Sequence, residues 1–256
     1  MLMAAANYFR PDARALRAVL QKLYLEQLTH SDEDYLRFHS AKIAVHQRVA
    51  SFMRYASFIP RSGTILDWGC HHGPDSSLVR AAFPLAPLRL IGCDAPRREA
   101  YGAFWRHSGL EFVAIDHLYK LPFDDGEFDC VIAAGALEHA AFDYESLKEL
   151  HRVMKADAPL IITHLPNRFS YIEFAARYFR RREFHRKLYS MREIVALLNR
   201  SGFYPVKTAR HRMLPGHAGS TIVGLLLPLE RHVESVPVAN VICGDLFVVA
   251  KKVVFF

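Results

Sequence analysis

Gly63-Thr64-Ile65-Leu66-Asp67-Trp68-Gly69-Cys70-His71-His72-Gly73-Pro74-Asp75 is the stretch on which the fold turns. Ile65 and Leu66 read as the end of a buried parallel strand, with β-branched Thr64 at its start. Asp67 stands at the strand's carboxyl end. Gly69 and Gly73 let the turn bring its backbone close to a ligand. Pro74 suits the first turn of a helix, expected from Asp75 through Phe83. Strand, acidic tip, glycine turn and helix make a ligand site at the mouth of an open α/β sheet. The plain alternative is a strand-turn-helix that binds nothing.

The spacing separates ligand classes. A dinucleotide site wants G-x-G-x-x-G around a pyrophosphate, and His71 breaks that pattern. What stands is D-x-G-x-x-x-G. A carboxylate at the strand tip repels a pyrophosphate and attracts an ammonium group. The pattern resembles the first motif of the class I S-adenosylmethionine-dependent methyltransferases. Their usual form carries one more central glycine, where this chain has His71, so a change of loop conformation is expected.

Downstream segments extend the resemblance. Leu88 to Asp94 reads as a second strand that also ends in an acid. Asp94 follows the glycine turn at about the 20-residue offset where nucleoside-binding sheets hold a ribose. A carboxylate accepts hydroxyl protons, which suits two ribose hydroxyls, although an Asp after a strand is also an ordinary turn residue. Glu111 to Ile115 reads as strand three, followed by Asp116 and His117. Leu121-Pro122-Phe123 through Phe128-Asp129 closely resembles the family's turn into strand four, with Asp125-Gly126 as the tight turn. Strand four, Cys130 to Ala134, runs into Gly135-Ala136-Leu137-Glu138-His139, similar to the Leu-Glu-His of many small-molecule methyltransferases. His151-Arg152-Val153-Met154-Lys155 resembles the family's Arg-Val-Leu-Lys, but Ala156-Asp157-Ala158 replaces its usual turn. Leu160 to Thr163 is strand five, left by His164.

The resemblance covers Gly63 to about His164 and implies the rest of the fold. That fold is a Rossmann-like α/β sheet of seven mostly parallel strands in order 3-2-1-4-5-7-6, with helices on both faces. Phe203 to Thr208 and Asp245 to Val254 are the expected sixth and seventh strands. The implied cofactor is S-adenosyl-L-methionine. Asp67, Gly69, Cys70 and Gly73 would meet its methionine part, Asp94 its ribose, Asp116 and His117 its adenine, with Ala134 at the tip of strand four. His139 and His164 are the candidate general bases, His139 placed first, because imidazole titrates near neutral pH. Glu138 with His139 resembles the metal pair of some quinone-precursor methyltransferases. Those enzymes have a further upstream Glu where Gly135 and Ala136 stand, so no metal is expected.

The chain has 256 residues, half of them apolar, enough for one large α/β domain. No apolar run reaches the ~20 residues of a membrane span, and Met1 to Arg10 lacks a signal-peptide pattern. Cys70, Cys93, Cys130 and Cys243 lack metal-site spacing, and Cys93 and Cys130, inside expected buried strands, read as reduced core thiols of a cytoplasmic protein. Residues 1–60 read as two helices that form a lid, the second opened by a Ser31–Asp34 capping box. Residues 61–256 are the cofactor-binding domain, with insertions at 167–189 and 211–243 that add to the lid. Asp143 is expected to cap the helix after strand four, and Ser190 with Glu193 to form another capping box.

The first insertion mixes Phe169, Tyr171, Phe174 and Tyr178 with seven cationic residues between Arg168 and Lys187, against Glu173 and Glu183. Such a segment suits phosphates, nucleic acid or a membrane surface, or is simply a solvated helix face. The second holds Ile222-Val223-Gly224-Leu225-Leu226-Leu227-Pro228-Leu229, too short to span a bilayer. Pro166 to Pro215 loosely resembles methyltransferases of surface-glycan and lipid-linked pathways. The family's Asn/Asp-Pro-Pro-aromatic motif for base amino groups is missing, as is a Pro-Cys nucleophile. The expected reaction is therefore methyl transfer to an oxygen of a small molecule, glycan or lipid-linked intermediate, with a contact to the membrane surface. An RNA methyltransferase using the 167–192 segment and a non-catalytic binding protein are the alternatives.

Overall fold

The computed structural model describes residues 11–96, 102–180, 185, 187–214, 236 and 240–253. These form a seven-stranded sheet in order β3-β2-β1-β4-β5-β7-β6. The strands are β1 Gly63–Trp68, β2 Leu88–Asp94, β3 Glu111–Ala114, β4 Cys130–Ala134, β5 Pro159–Pro166, β6 Phe203–His211 and β7 Asp245–Lys252. β1 through β5 pair in parallel, while β7 runs antiparallel to both β5 and β6. This is the expected Rossmann-like order, and its switch point lies between β1 and β4, where ligands bind in such sheets.

Alternation along β1 divides the core. Ile65 faces one apolar layer and Leu66 the other. The first layer joins the sheet to α1 Ala13–Leu28, α3 Lys42–Tyr55 and α4 Pro74–Ala82. The second joins it to α6 Asp143–Val153 and α8 Met191–Arg200. Cys93 and Cys130 are buried free thiols on β2 and β4.

The leading segment differs from two lid helices. Its second helix breaks at Ser40, giving α2 Asp34–His39 before α3. The expected capping box does not form: the Ser31 hydroxyl donates to Glu33, and Glu33 occupies the N-cap of α2 without a side-chain cap. Leu20, Tyr24, Phe52 and Tyr55 are fully buried against the sheet layer. Burying an apolar side chain such as Leu20 or Phe52 stabilises the fold by about 1.5–3 kcal/mol, so α1 and α3 are core elements. Only α2 and the front of α3 reach the cavity described below.

Other boundaries shift in readable ways. Asp143 lies inside the first turn of α6, with Phe142 at the N-cap; its carboxylate accepts from the Tyr189 hydroxyl at 2.9 Å. The Ser190–Glu193 capping box is present on α8. The 167–189 insertion contains α7 Tyr171–Arg180; Arg181, Arg182, Glu183, Phe184 and Arg186 lie outside the described residues. So does most of the 211–243 insertion, including Ile222 to Leu229. No helix among the described residues is long and apolar enough to cross a membrane.

Candidate active site

A cavity of about 840 Å³ opens at the carboxyl ends of the central strands, beneath α2, α3 and α7. Its size falls within the roughly 300–1,000 Å³ of small-molecule sites. Gly69, Asp94, His117, Ala134, His139 and His164 all line it. Six residues read from five separate strand ends thus meet in one space.

The β1–α4 turn forms the floor. Gly69 has φ 69°, and a Cβ there would stand 2.5 Å from the Ala136 Cβ. Only glycine lets the turn after β1 meet the turn after β4 so closely. His71 takes φ 49°, a left-handed conformation uncommon for a non-glycine residue. Its backbone N–H donates to Asp94 Oδ2 at 2.8 Å, while Ala95 N–H donates to Oδ1 at 2.7 Å. Asp94 is therefore aimed by two amides, with lone pairs left for a ligand. The His71 ring packs on Tyr35 of α2, centroids 4.0 Å apart, which ties the loop to the helix above it.

Four of the sequence-derived cofactor residues stand elsewhere. Asp67 is buried beneath α4, where Oδ2 accepts from the Ser76 hydroxyl at 2.6 Å. Burial first, then neighbouring Asp75, pushes its carboxyl up to about 7. Asp75 in turn accepts from Tyr55 and from the buried Arg48 guanidinium, so this acid cluster belongs to the protein interior. Cys70 is buried, and Gly73 is the N-cap of α4; neither lines the cavity. Asp116 is exposed and outside the lining as well. The His117 ring accepts from the Tyr119 and Lys120 amides, which fixes it beside the cavity.

The two histidines differ. His139 ends the short 3₁₀ turn Leu137–His139, with 66% of its side chain exposed. Burial of the remainder and nearby His185 lower its pKa, so the ring is neutral at pH 7. His164 sits at φ 56° where the β5 register shifts between Ile162 and Leu165. Such a bulge re-aims a side chain, here into the cavity. His164 Nδ1 faces Asp245 Oδ2 at 3.4 Å, and Nε2 is buried with no hydrogen-bond partner among the described residues. Burial opposes ionisation of Asp245, but Arg212 and His164 outweigh it and hold the carboxyl well below its usual range. An ionised carboxylate only accepts, so the hydrogen between the two lies on Nδ1, and Nε2 is left facing the cavity.

Sequence reasoning missed several lining residues. Glu138 was visible only as the neighbour of His139, and burial now pushes its carboxyl up to about 7. Glu173 and His185, paired at 2.9 Å, belong to an insertion with no motif to mark them. Asp245 was legible only as the start of a strand. His185 also brings a third ligand-type atom within 4.8 Å of those of Glu138 and His139; Glu33, His71 and His72 form a similar group.

The residues present fit an adenosyl ligand on the β1–β2 side, where a glycine turn and an amide-aimed Asp94 share the wall. Comparison with known proteins agrees. Residues 37–208 match the family model described as a methyltransferase domain. Malonyl-[acyl-carrier protein] O-methyltransferase of Legionella pneumophila is 28% identical over 57% of this chain and 51% of its own. The chain spans about half or less of the length of the curated relatives it matches. A SAM-dependent methyltransferase from Archaeoglobus fulgidus superposes with a TM-score of 0.60 at 18% identity, covering 86% of this chain and all of the other. The 1,6-didemethyltoxoflavin-N1-methyltransferase of Burkholderia thailandensis, solved with S-adenosylhomocysteine, gives 0.54 at 18% identity over 99% of this chain and 93% of its own. Sheet order, cavity and family match lead to one conclusion: the chain belongs to the methyltransferase-domain family, with S-adenosylmethionine as its cofactor.

Proposed function

We propose that the chain transfers a methyl group from S-adenosylmethionine to an oxygen of a small molecule, glycan or lipid-linked intermediate. Asp94 would hold the ribose hydroxyls, with Gly69, His117 and Ala134 around the rest of the cofactor. The bound cofactor supplies an electrophilic methyl on a sulfonium. In the transfer the acceptor oxygen bonds to that carbon as the C–S pair returns to sulfur, and the hydroxyl proton must leave. The observation that carries an oxygen acceptor is His164 Nε2, a buried ring nitrogen with no hydrogen-bond partner among the described residues, inside the cavity on a ring backed by Asp245. A neutral imidazole so held can take the hydroxyl proton as the new bond forms. His139, exposed at the cavity rim, is the second base candidate. The cavity walls align the acceptor and exclude water, which is most of what an in-line displacement needs. In this reading α2 and α7 act as the lid, because moving α1 or α3 would expose core.

Phe174 and Tyr178 stack with centroids 5.8 Å apart on the exposed face of α7, which supports a membrane-surface contact near the site. Co-sedimentation with anionic vesicles tests that contact, and Phe174→Ser should weaken it. For the activity, the protein is incubated with methyl-labelled cofactor and fractionated cell extract, and labelled product is treated with mild base. Label in a base-stable ether or a base-labile ester supports oxygen transfer. Label confined to amines or to RNA overturns it.

A further inference from the structure

Resting on the oxygen-methyltransferase reading, we infer that the acceptor is a polyhydroxylated, sugar-like molecule whose flanking hydroxyls are bound by Glu138 and Glu173. Both side chains line the cavity, with only 2% and 4% of their surface exposed. Each presents a buried Oε2 with no hydrogen-bond partner among the described residues. A buried carboxylate oxygen left without a donor is costly, and a ligand that donates to it removes that cost. His164 Nε2 is a third buried atom without a hydrogen-bond partner among the described residues.

The placement of the three is set by the fold. Glu138 follows β4, His164 lies on the β5 bulge and Glu173 comes from α7. Glu138 and His164 flank Gly135: a Cβ there would lie 3.6 Å from Glu138 Oε1 and 3.8 Å from His164 Cβ. The missing side chain keeps the space between them open. His185 Nδ1 holds Glu173 Oε1 at 2.9 Å, which directs the other oxygen.

Glu173 accepts, while the Glu138 carboxyl, pushed up to about 7, accepts when ionised and can donate when protonated, so a ligand whose groups both donate and accept, as hydroxyls do, suits the wall. Charge separates a polyol from a polyamine. Asp245 is already paired with Arg212, and Glu173 with His185, whose protonated form Glu173 favours against the effect of burial. Those two carboxylates are paired within the protein, and burial favours the uncharged form of Glu138, so what stays unmet is mainly hydrogen bonding. An apolar ring acceptor would strip water from both carboxylates and return nothing. Hydroxyls on successive carbons meet separate acceptors at once, and one of them reaches His164.

The test uses the wild-type protein, dialysed against EDTA, with methyl-labelled cofactor and three defined pools. The first contains methyl glycosides of common hexoses, 6-deoxyhexoses and pentoses together with alditols. The second contains phenols and long-chain mono-alcohols, and the third polyamines and amino acids. Calorimetry with S-adenosylhomocysteine is run in parallel. Label concentrated in the first pool supports the inference. Label confined to another pool, or none in any pool while S-adenosylhomocysteine binds, overturns it. Turnover that appears only when Mn²⁺ or Zn²⁺ is restored also overturns it, because Glu138, His139 and His185 would then be ligands. Loss of S-adenosylhomocysteine binding itself instead removes the methyltransferase reading beneath it. With the labelled glycoside, Glu138→Gln and Glu173→Gln should each raise KM roughly 10- to 100-fold and leave S-adenosylhomocysteine affinity unchanged. A deoxy analogue lacking the recognised hydroxyl should show the same loss on wild type and no further loss on the matching variant. Equal losses for the deoxy analogue on wild type and both variants would mean that neither carboxylate reads a hydroxyl.

Discussion

The two sides of the cavity handle carboxylates in opposite ways. On the cofactor side, Asp94 receives a backbone amide on each oxygen, and Asp67 beneath the floor is bonded to Ser76. On the side of β4, β5 and α7, Glu138 and Glu173 each leave an oxygen without a partner among the described residues. Satisfied groups hold a fixed shape ready for one invariant ligand. Unsatisfied ones store a demand that only the correct partner meets, which is how a site rejects an analogue lacking a donor. The β1–β2 wall is thus aimed mainly by backbone groups, and the opposite wall is made by side chains from distant elements.

The largest expected break of that contrast is at the base. His164→Ala should lower turnover ~10²–10⁴-fold while S-adenosylhomocysteine affinity is kept, and turnover should partly recover at high pH as the acceptor deprotonates. His139→Ala should cost less, because its ring stands at the exposed rim. Steady-state kinetics across pH checks both, and a larger loss at His139 would exchange their roles. On the cofactor wall, Asp94→Ala should weaken S-adenosylhomocysteine binding by about 1.5–3 kcal/mol, the range for a hydrogen bond to a charged group. Calorimetry reads it; unchanged affinity would place the ribose elsewhere.

Gly69→Ala should destabilise the fold by ~1–3 kcal/mol through left-handed strain and collision with Ala136. Urea melts measure this, and a neutral result would mean that the two turns can separate. The last test is a pH slope. Asp67 is raised to about 7 by burial and Asp75. Below about pH 4 it is protonated both folded and unfolded. Between about 4 and 7 only the unfolded chain releases the proton, so stability falls as pH rises. Asp67→Asn should remove that decline, and melts at pH 5 and 7.5 compare the two proteins. An identical slope in both would show that Asp67 is ionised in the fold.

The strands and their order were readable because buried parallel strands carry short apolar runs between turn signals, and the glycine turn stands beside one of them. Asp94 and His117 were readable for the same reason, since each follows a strand that must end at the mouth. Asp67 matched the same rule and is nonetheless a core acid, because α4 packs over it and Ser76 takes its carboxylate. Local pattern says where a chain turns, and it does not say which neighbour covers the turn. The split of the leading helices at Ser40 was hidden by continuous apolar spacing through the break.

From sequence alone came the α/β class, the strand-end acids and the two histidines, because each is encoded within a few consecutive residues. Tertiary structure decided which groups gather around those histidines. Glu138, His164, Glu173, His185 and Asp245 are scattered over more than a hundred positions and share one cavity because β4, β5, β7 and α7 converge on it. Burial shifts the Glu138 carboxyl, and pairing orients His164. Neither exists in an extended chain, where every one of these groups is hydrated and titrates near its ordinary value.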